Sequence, residues 1–242
     1  MLVQERMTPD PIVVDENLTV LDAAQRMKEM KIRRFPVVRD GKLVGIVTDR
    51  DLRSSAPSQV ISFDEQERQL LPELHKLFSS IKIKDIMSKK VITVNPEQSV
   101  VMAAHLMLKH RISGMPVVDA QGTLVGIITE SDVFKILIGL SGIHLGRVTF
   151  GVEVEDRPGS IKEVADVIRQ YEGRLASILT SYDRAAPQNR RVYIRIQDPL
   201  PKEFDALKMA LKKKFHLLYV LEDAVETGTH SCSASNGSTN PD

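Results

Sequence analysis

The sequence predicts an α/β (α+β) protein in which a strand–helix–strand–strand–helix unit occurs twice and a βαββαβ unit follows. Three observations carry that prediction. First, the chain repeats itself: Met7, Ile12 and Val14 return 80 positions later as Met87, Ile92 and Val94. Val20, Ala23, Ala24, Met27, Ile32, Pro36, Val37 and Val38 return at the same spacing as Val100, Ala103, Ala104, Met107, Ile112, Pro116, Val117 and Val118. One extra residue near Gln121 shifts the spacing to 81, and Gly41, Leu43, Val44, Gly45, Ile46, Thr48 and Asp51 return as Gly122, Leu124, Val125, Gly126, Ile127, Thr129 and Asp132. Second, each copy switches between short apolar runs and segments of helical period. Third, a strand pattern that matches neither copy begins at Val148.

Within the first copy, Pro11 to Val14 is a short extended segment. Thr19 precedes a helix whose apolar stripe is Val20, Ala23, Ala24 and Met27, with Asp22 placed to complete an acidic capping box. Phe35 to Val38 reads as a buried strand, Asp40-Gly41 as a two-residue hairpin turn, and Leu43 to Val47 as the partner strand. Asp51 begins a second helix. The second copy follows the same plan with a longer loop, Asp119 to Gly122, at the hairpin. The methionines on these faces read as core filler.

The resulting boundaries are a first repeat over 1–56, a helical insert over 57–82, a second repeat over 83–140, a C-terminal unit over 147–223 and a disordered tail over 226–242. The insert opens with loop composition at Ser54 to Ser58, then places Leu70, Leu71, Leu74, Leu77 and Phe78 at helical spacing around Pro72. It reads as a helix packed on the pair or as a dimer contact, and His75 within it reads as structural. A glycine-punctuated junction, Gly139 to Gly146, leads to the C-terminal unit. There Val148, Phe150, Val152 and Val154 alternate, Asp156-Arg157-Pro158-Gly159 makes a turn, and Ile161, Val164, Ala165 and Ile168 form a helical stripe. Strands over Leu175 to Tyr182 and Val192 to Ile196, a helix around Phe204 to Leu211 and a last strand over Leu217 to Leu221 complete the ferredoxin-like order.

The chemistry-bearing stretch is the one that recurs as Gly45-x-x-Thr48-x-x-Asp51 and Gly126-x-x-Thr129-x-x-Asp132. Each threonine stands where a buried strand turns into a helix. One reading is structural: the threonine caps the helix and the aspartate reaches back to the cap amide. The other is chemical: a helix N-terminus attracts phosphate, a hydroxyl adds a hydrogen bond, and a carboxylate accepts from ribose hydroxyls. A single copy favours the cap. Two copies in matching contexts strengthen the chemical reading.

Composition narrows the alternatives. Lys plus Arg (33) nearly cancels Asp plus Glu (32), Trp is absent and aromatics make up 5%, so neither a basic face nor a stacking platform for nucleic acid is expected. The single cysteine, Cys232, excludes a disulfide framework and a cysteine metal cluster. No apolar run approaches the ~20 residues of a membrane span, and charge appears too early at the N-terminus for a signal peptide, so a cytoplasmic protein without a membrane partner is expected. There is no Gly-x-Ser-x-Gly elbow, P-loop or metal-ligand pair, so no catalytic residue and no metal ligand is assigned.

The duplicated Pro-Val-Val, Gly-x-Leu-Val-Gly-Ile and Thr-x-x-Asp segments resemble a tandem pair of cystathionine-β-synthase (CBS) domains, a Bateman module, over roughly residues 1–137. That resemblance implies two βαββα units packed about a pseudo-two-fold with two clefts for adenosine derivatives. It further implies that Thr48 and Thr129 meet phosphate, Asp51 and Asp132 meet ribose, and apolar residues near Ile12, Val14, Ile92 and Val94 meet the base. Arg33 and Arg34 precede the first Pro-Val-Val where Ser113 and Gly114 precede the second, so the cleft that receives Arg33 or Arg34 is expected to favour more highly phosphorylated ligands than its counterpart. The Asp-x-Pro-Gly turn of the C-terminal unit resembles that of an ACT domain. Asp156, Arg157, Pro158 and Gly159 would then border a site for an amino acid or other small ligand, or only support assembly.

A CBS pair followed by an ACT domain resembles acetoin-utilisation AcuB-type proteins, and the pathway is implied by that resemblance alone. The expectation is a non-catalytic regulator that senses an adenosine nucleotide (AMP, ADP or ATP), forms a homodimer and signals to a protein partner the sequence does not identify. An interaction adaptor with degenerate clefts is the alternative.

Overall fold

The computed structural model describes residues 1–55 and 80–223. The insert from Ser58 to Phe78, with His75, and the tail with Cys232 lie outside the described residues. The chain divides into two compact units, Met1–Phe134 and Lys135–Asp242.

The first unit holds β1 (Thr8–Pro9), β2 (Val14–Asp15), α1 (Val20–Glu29), β3 (Arg34–Arg39), β4 (Lys42–Thr48), α2 (Asp49–Ser55), α3 (Ile83–Ile86), α4 (Val100–His110), β5 (Gly114–Val118) and β6 (Leu124–Thr129). A further helix, α5 (Glu130–Ser141), begins in it. Two three-stranded sheets form, β2-β3-β4 and β1-β6-β5. In the first, Asp40 and Gly41 adopt φ of +49° and +75°, the left-handed pair that a two-residue hairpin of matching twist requires. The predicted stripe of α1 is the buried one: Val20, Ala23, Ala24 and Met27 pack with Phe35, Val37 and Leu52.

Each copy completes the other. β1 pairs antiparallel with β6, Thr8 facing Ile127 and Pro9 facing Gly126. Ser88, the counterpart of Thr8, pairs with Ile46 of β4. The Val3 amide donates to the Gln98 carbonyl at 2.9 Å, and the Ile83 amide donates to the Leu18 carbonyl, also at 2.9 Å. Ile83 and Met87 are members of the first copy's core. Val3, the counterpart of Ile83, is fully buried too. At about 1.5–3 kcal/mol for each such side chain, this reciprocal exchange contributes substantially to holding the pair together. It also explains the motif glycines. A Cβ on Gly45 would collide with the Met87 thioether, and one on Gly126 with that of Met7. Residues 1–9, assigned by sequence to the first repeat, therefore finish the sheet of the second.

The second unit contains β7 (Val148–Glu155), α6 (Ser160–Gln170), β8 (Leu175–Ser181), β9 (Asn189–Ile196), α7 (Phe204–Lys214) and β10 (His216–Glu222). Its strands run antiparallel in the order β10-β7-β9-β8. The alternating apolar residues read from β7 are core residues: Val148, Phe150, Val152 and Val154 join Val164, Ile168, Val192, Ile194, Leu207 and Leu211 in one core, while Gly151 and Glu153 between them are buried as well. Met209 lies outside it, 74% exposed on α7. The junction begins later than the glycines suggest. α5 continues through Gly139 to Ser141, and Gly142 takes the left-handed conformation at φ +67°. Arg195 secures the segment that follows, donating to the carbonyls of Ser141 and Gly146 at 2.9 Å and to Asp223 at 2.7 Å.

Candidate functional site

The repeated Thr-x-x-Asp pairs sit where β4 enters α2 and where β6 enters α5. At the first, the Thr48 hydroxyl donates to Asp51 Oδ2 at 2.7 Å and the Thr48 amide donates to the same oxygen at 2.8 Å. The Asp51 amide returns a bond to Thr48 Oγ1 at 3.3 Å. At the second, the Thr129 hydroxyl and amide donate to Asp132 Oδ2 at 2.7 and 2.9 Å. All four residues are half-buried. The carboxylate-to-amide half of the acidic capping box is present in both copies, and the Asp51 amide completes it in the first.

That geometry constrains what the pair can offer a ligand. The hydroxyl proton of each threonine is given to the aspartate, so a phosphate would have to draw it away. The amides of Asp49 and Glu130 are taken by the carbonyls of Arg33 and Ser113 at 3.0 and 3.1 Å. These helix starts are closed by their own chain. At the first copy the Asp51 carboxylate accepts both bonds on Oδ2, and its Oδ1 edge can accept from a ribose hydroxyl.

A related pair stands at the start of α1, where the Thr19 hydroxyl donates to Asp22 Oδ2 at 2.6 Å and the Asp22 amide donates to Thr19 Oγ1 at 3.1 Å. There the second copy has Ser99 and Met102, and only the cap bond from the Met102 amide survives, at 3.1 Å. The hydroxyl–carboxylate bond alone thus does not separate a cap from a site, whereas the threonine amide bond to the aspartate is made at Thr48 and Thr129.

Strand register places the arginines. Arg34 faces Thr48 across β3–β4, and its counterpart Gly114 faces Thr129 across β5–β6. Arg33 is exposed. The Arg34 side chain crosses into the second copy, where Nη2 donates to Ser113 Oγ at 2.8 Å and the guanidinium fills the space that a Cβ on Gly114 would need. Burial pulls its pKa below the ordinary arginine value, and the Glu130, Asp49 and Asp132 carboxylates oppose that shift. Sequence alignment paired Arg34 with Gly114 without revealing that one occupies the vacancy of the other. The residues expected near the base are divided. Val14 and Val94 are core residues, each 2% exposed, Ile92 is half-buried, and Ile12 is 47% exposed.

A second candidate lies in the C-terminal unit. Asp156, Arg157, Pro158 and Gly159 line a cavity of about 360 Å³ together with Ile161, Lys162 and Arg190. Asp156 does not cap α6. The N-cap is Gly159, at φ +90° and without a side-chain cap bond. Asp156 is instead engaged by Arg190. Arg157 donates two bonds to Glu163, at 2.8 and 3.0 Å, and one to Glu155 at 3.0 Å. Those bonds hold the Glu163 carboxyl below its usual range. Ser160 Oγ is buried without a hydrogen-bond partner, as is Arg190 Nε. Arg190 was not readable as a site residue, because only the β7–β9 register, Val154 facing Arg190, brings it beside Asp156.

Among the described residues there is no group of three or more His, Cys, Asp or Glu placed to hold a metal ion, and no helix long and apolar enough to cross a membrane.

Comparison with known proteins agrees with the duplicated unit. The CBS domain family model matches residues 3–57 and 83–139. A CBS domain-containing protein of Dictyostelium discoideum is 34% identical over 139 residues, covering 57% of this chain and 92% of that protein. Among solved structures, CBSX2 of Arabidopsis thaliana in complex with AMP is 29% identical, covering 57% of this chain and 96% of that one at a TM-score of 0.45. A Vibrio cholerae structure described as a proposed acetoin utilization protein (AcuB) is 32% identical, covering 60% and 95% at a TM-score of 0.47. CBS pairs are generally regulatory and non-catalytic, although they also occur within enzymes such as inosine-5'-monophosphate dehydrogenase. With two matched copies and a relative covered over nearly its whole length, this chain belongs to the CBS-domain family and carries a tandem CBS pair.

Proposed function

We propose that this chain is a non-catalytic regulatory protein that senses adenosine nucleotides, AMP, ADP or ATP, through its CBS pair. The observation that carries the reading is the contrast between the capping boxes. The pair at Thr48–Asp51 recurs as Thr129–Asp132 with the same Oγ1–Oδ2 separation of 2.7 Å, whereas the pair at Thr19–Asp22 is not kept in the second copy. Capping alone gives no reason to preserve one and not the other. In this reading Asp51 and Asp132 take the ribose, the helix starts at Thr48 and Thr129 receive the phosphates with Arg34, and Ile12 and Ile92 flank the base while Val14 and Val94 back them from the core. Mass spectrometry of small molecules released from the denatured protein, followed by calorimetric titration, tests it. An adenosine species is expected. Its absence, with flat titrations for AMP, ADP and ATP, overturns the reading.

The C-terminal unit is read as an ACT-type domain that binds an amino acid or another small carboxylate. The support is the start of α6 at Gly159, which has no side-chain cap bond, and the lining cations Arg157, Lys162 and Arg190 around one cavity. Thermal-shift screening of amino acids, repeated on Gly159→Ala, checks it. Homodimerisation and a role in acetoin utilisation belong to the same proposal, the first tested by light scattering.

One observation favours the adaptor alternative. On α5, Phe134, Leu137, Ile138 and Leu140 are all exposed. An adaptor would retain partner binding after Asp51→Asn and Asp132→Asn, and would show no nucleotide titration.

A further inference from the structure

The two copies differ most where Arg34 meets Gly114. The backbone of Arg34 belongs to the first copy and faces Thr48, while its guanidinium lies in the second copy, against Ser113 and in the space beside Gly114, which faces Thr129. The position that supplies this cation in the first copy supplies no side chain in the second. Ser113, the counterpart of Arg33, is a neutral group. One guanidinium thus stands between two equivalent helix starts.

We infer that Arg34 is shared by the two clefts, so that a polyphosphate bound in one draws the guanidinium away from the other and the clefts bind highly phosphorylated ligands with negative coupling. The inference rests on the nucleotide-sensing reading above and adds the regulation of that site. A guanidinium grips phosphate oxygens in a fixed planar fork, so it can serve one phosphate cluster well at a time. Its present partner, the neutral Ser113 hydroxyl, is weaker than a phosphate and can be exchanged for one. Carboxylates of both copies, Asp49 in the first and Glu130 and Asp132 in the second, favour its charged form against burial and Arg33, which lower its pKa. Gly114 is what makes the crossing feasible, since a Cβ there would meet the guanidinium and stand 3.0 Å from the Ile128 carbonyl oxygen. A ligand without phosphate makes no demand on Arg34 and leaves the clefts independent.

Calorimetry on the full chain tests this through a thermodynamic cycle. The ATP constant of each cleft is measured in the variant whose other cleft is disabled, Asp51→Asn or Asp132→Asn. In the wild type, the overall two-site association constant for ATP should then fall about 5- to 20-fold short of the product of those two constants, within the usual range of coupling between sites. With adenosine the product should be met. Arg34→Ala should restore the product for ATP, and Gly114→Ala, which displaces the guanidinium without removing it, should move the coupling in the same direction. Thermal melts establish that each variant is folded, and the wild-type cycle stands even where one is not. If ATP meets or exceeds the product in the wild type while adenosine binds, shared use of Arg34 is wrong and nucleotide sensing stands. If neither ATP nor adenosine binds the wild type, the sensing reading itself is overturned, and the inference with it.

Discussion

Both candidate sites stand at the start of a helix, yet the two starts are built in opposite ways. In the CBS pair, Thr48 and Thr129 close the helix end with hydroxyl, amide and carboxylate of the same chain. In the C-terminal unit, Gly159 leaves the end of α6 without a side-chain cap, beside a cavity of about 360 Å³. A closed end meets a ligand through what faces outward, here a carboxylate edge suited to a ribose, and through a threonine hydroxyl that a phosphate must draw from its aspartate. An end without a side-chain cap, its first amide bonded only to the Arg157 carbonyl at 3.3 Å, presents its dipole more directly, which suits a carboxylate or phosphate. The difference separates two ligand chemistries within one chain.

The largest expected effect tests the closed ends. Asp51→Asn and Asp132→Asn should each weaken nucleotide binding at their own cleft by roughly 10- to 100-fold, the scale of a lost hydrogen bond to a charged group. Asp22→Asn, in the related pair at the start of α1, should leave affinity unchanged. Equal titrations for all three would reduce the motif to a cap. Next is the end without a side-chain cap. Gly159→Ala places a Cβ at φ +90°, and should cost about 1–2 kcal/mol in denaturant unfolding, because left-handed backbone disfavours a side chain. Space is not the obstacle, since nothing lies within 4 Å of that Cβ. Unchanged stability would show that this turn relaxes freely and does not hold α6 in place.

Smaller still, Thr19→Ala, Thr48→Ala and Thr129→Ala should each cost about 1 kcal/mol as lost caps, readable from urea midpoints. Only the last two should also change nucleotide affinity. The smallest effect is the response to acid. Glu16, bonded by Arg39 at 2.5 and 2.6 Å, and Glu153, bonded by Asn189 at 3.1 Å, have pKa values held down first by those hydrogen bonds. A carboxyl with a depressed folded pKa stabilises the protein above its unfolded pKa and loses that contribution as pH falls through the folded value. Melting temperature should therefore decline below the ordinary carboxylate range, and Glu16→Gln and Glu153→Gln should flatten the decline. A melting temperature independent of pH there would contradict both assignments.

What sequence could reveal followed from local rules. The stripe of α1, the hairpin at Asp40-Gly41 and the alternation of β7 are each encoded by residues within one element, and the structure has them where period and turn chemistry place them. The capping boxes were legible for the same reason. Long-range relations were not. Nothing near Thr8 indicates that it faces Ile127, and nothing in the Arg34–Gly114 alignment says that the one fills the vacancy of the other. The base-pocket candidates show the limit most plainly. Hydrophobicity and repeat position are alike for Ile12 and Val14, but one is exposed and the other lies in the core, because strand alternation sends neighbours two apart only as far as the strand lasts, and β2 begins at Val14.

The reciprocal exchange between the copies also sets an order of assembly. A ribosome delivers residues 1–55 first, and at that moment the sheet of β3 and β4 lacks its contact from Ser88, and its core lacks Ile83 and Met87. Val3 and Met7, already made, lack their partners until Gln98 and then Gly126 of β6 emerge. Each half supplies a strand segment and core side chains to the other. A nascent first repeat is therefore equally matched to the second repeat of its own chain and to that of a neighbouring chain. Proximity along the polypeptide, rather than any difference in complementarity, is what keeps the pairing within one molecule.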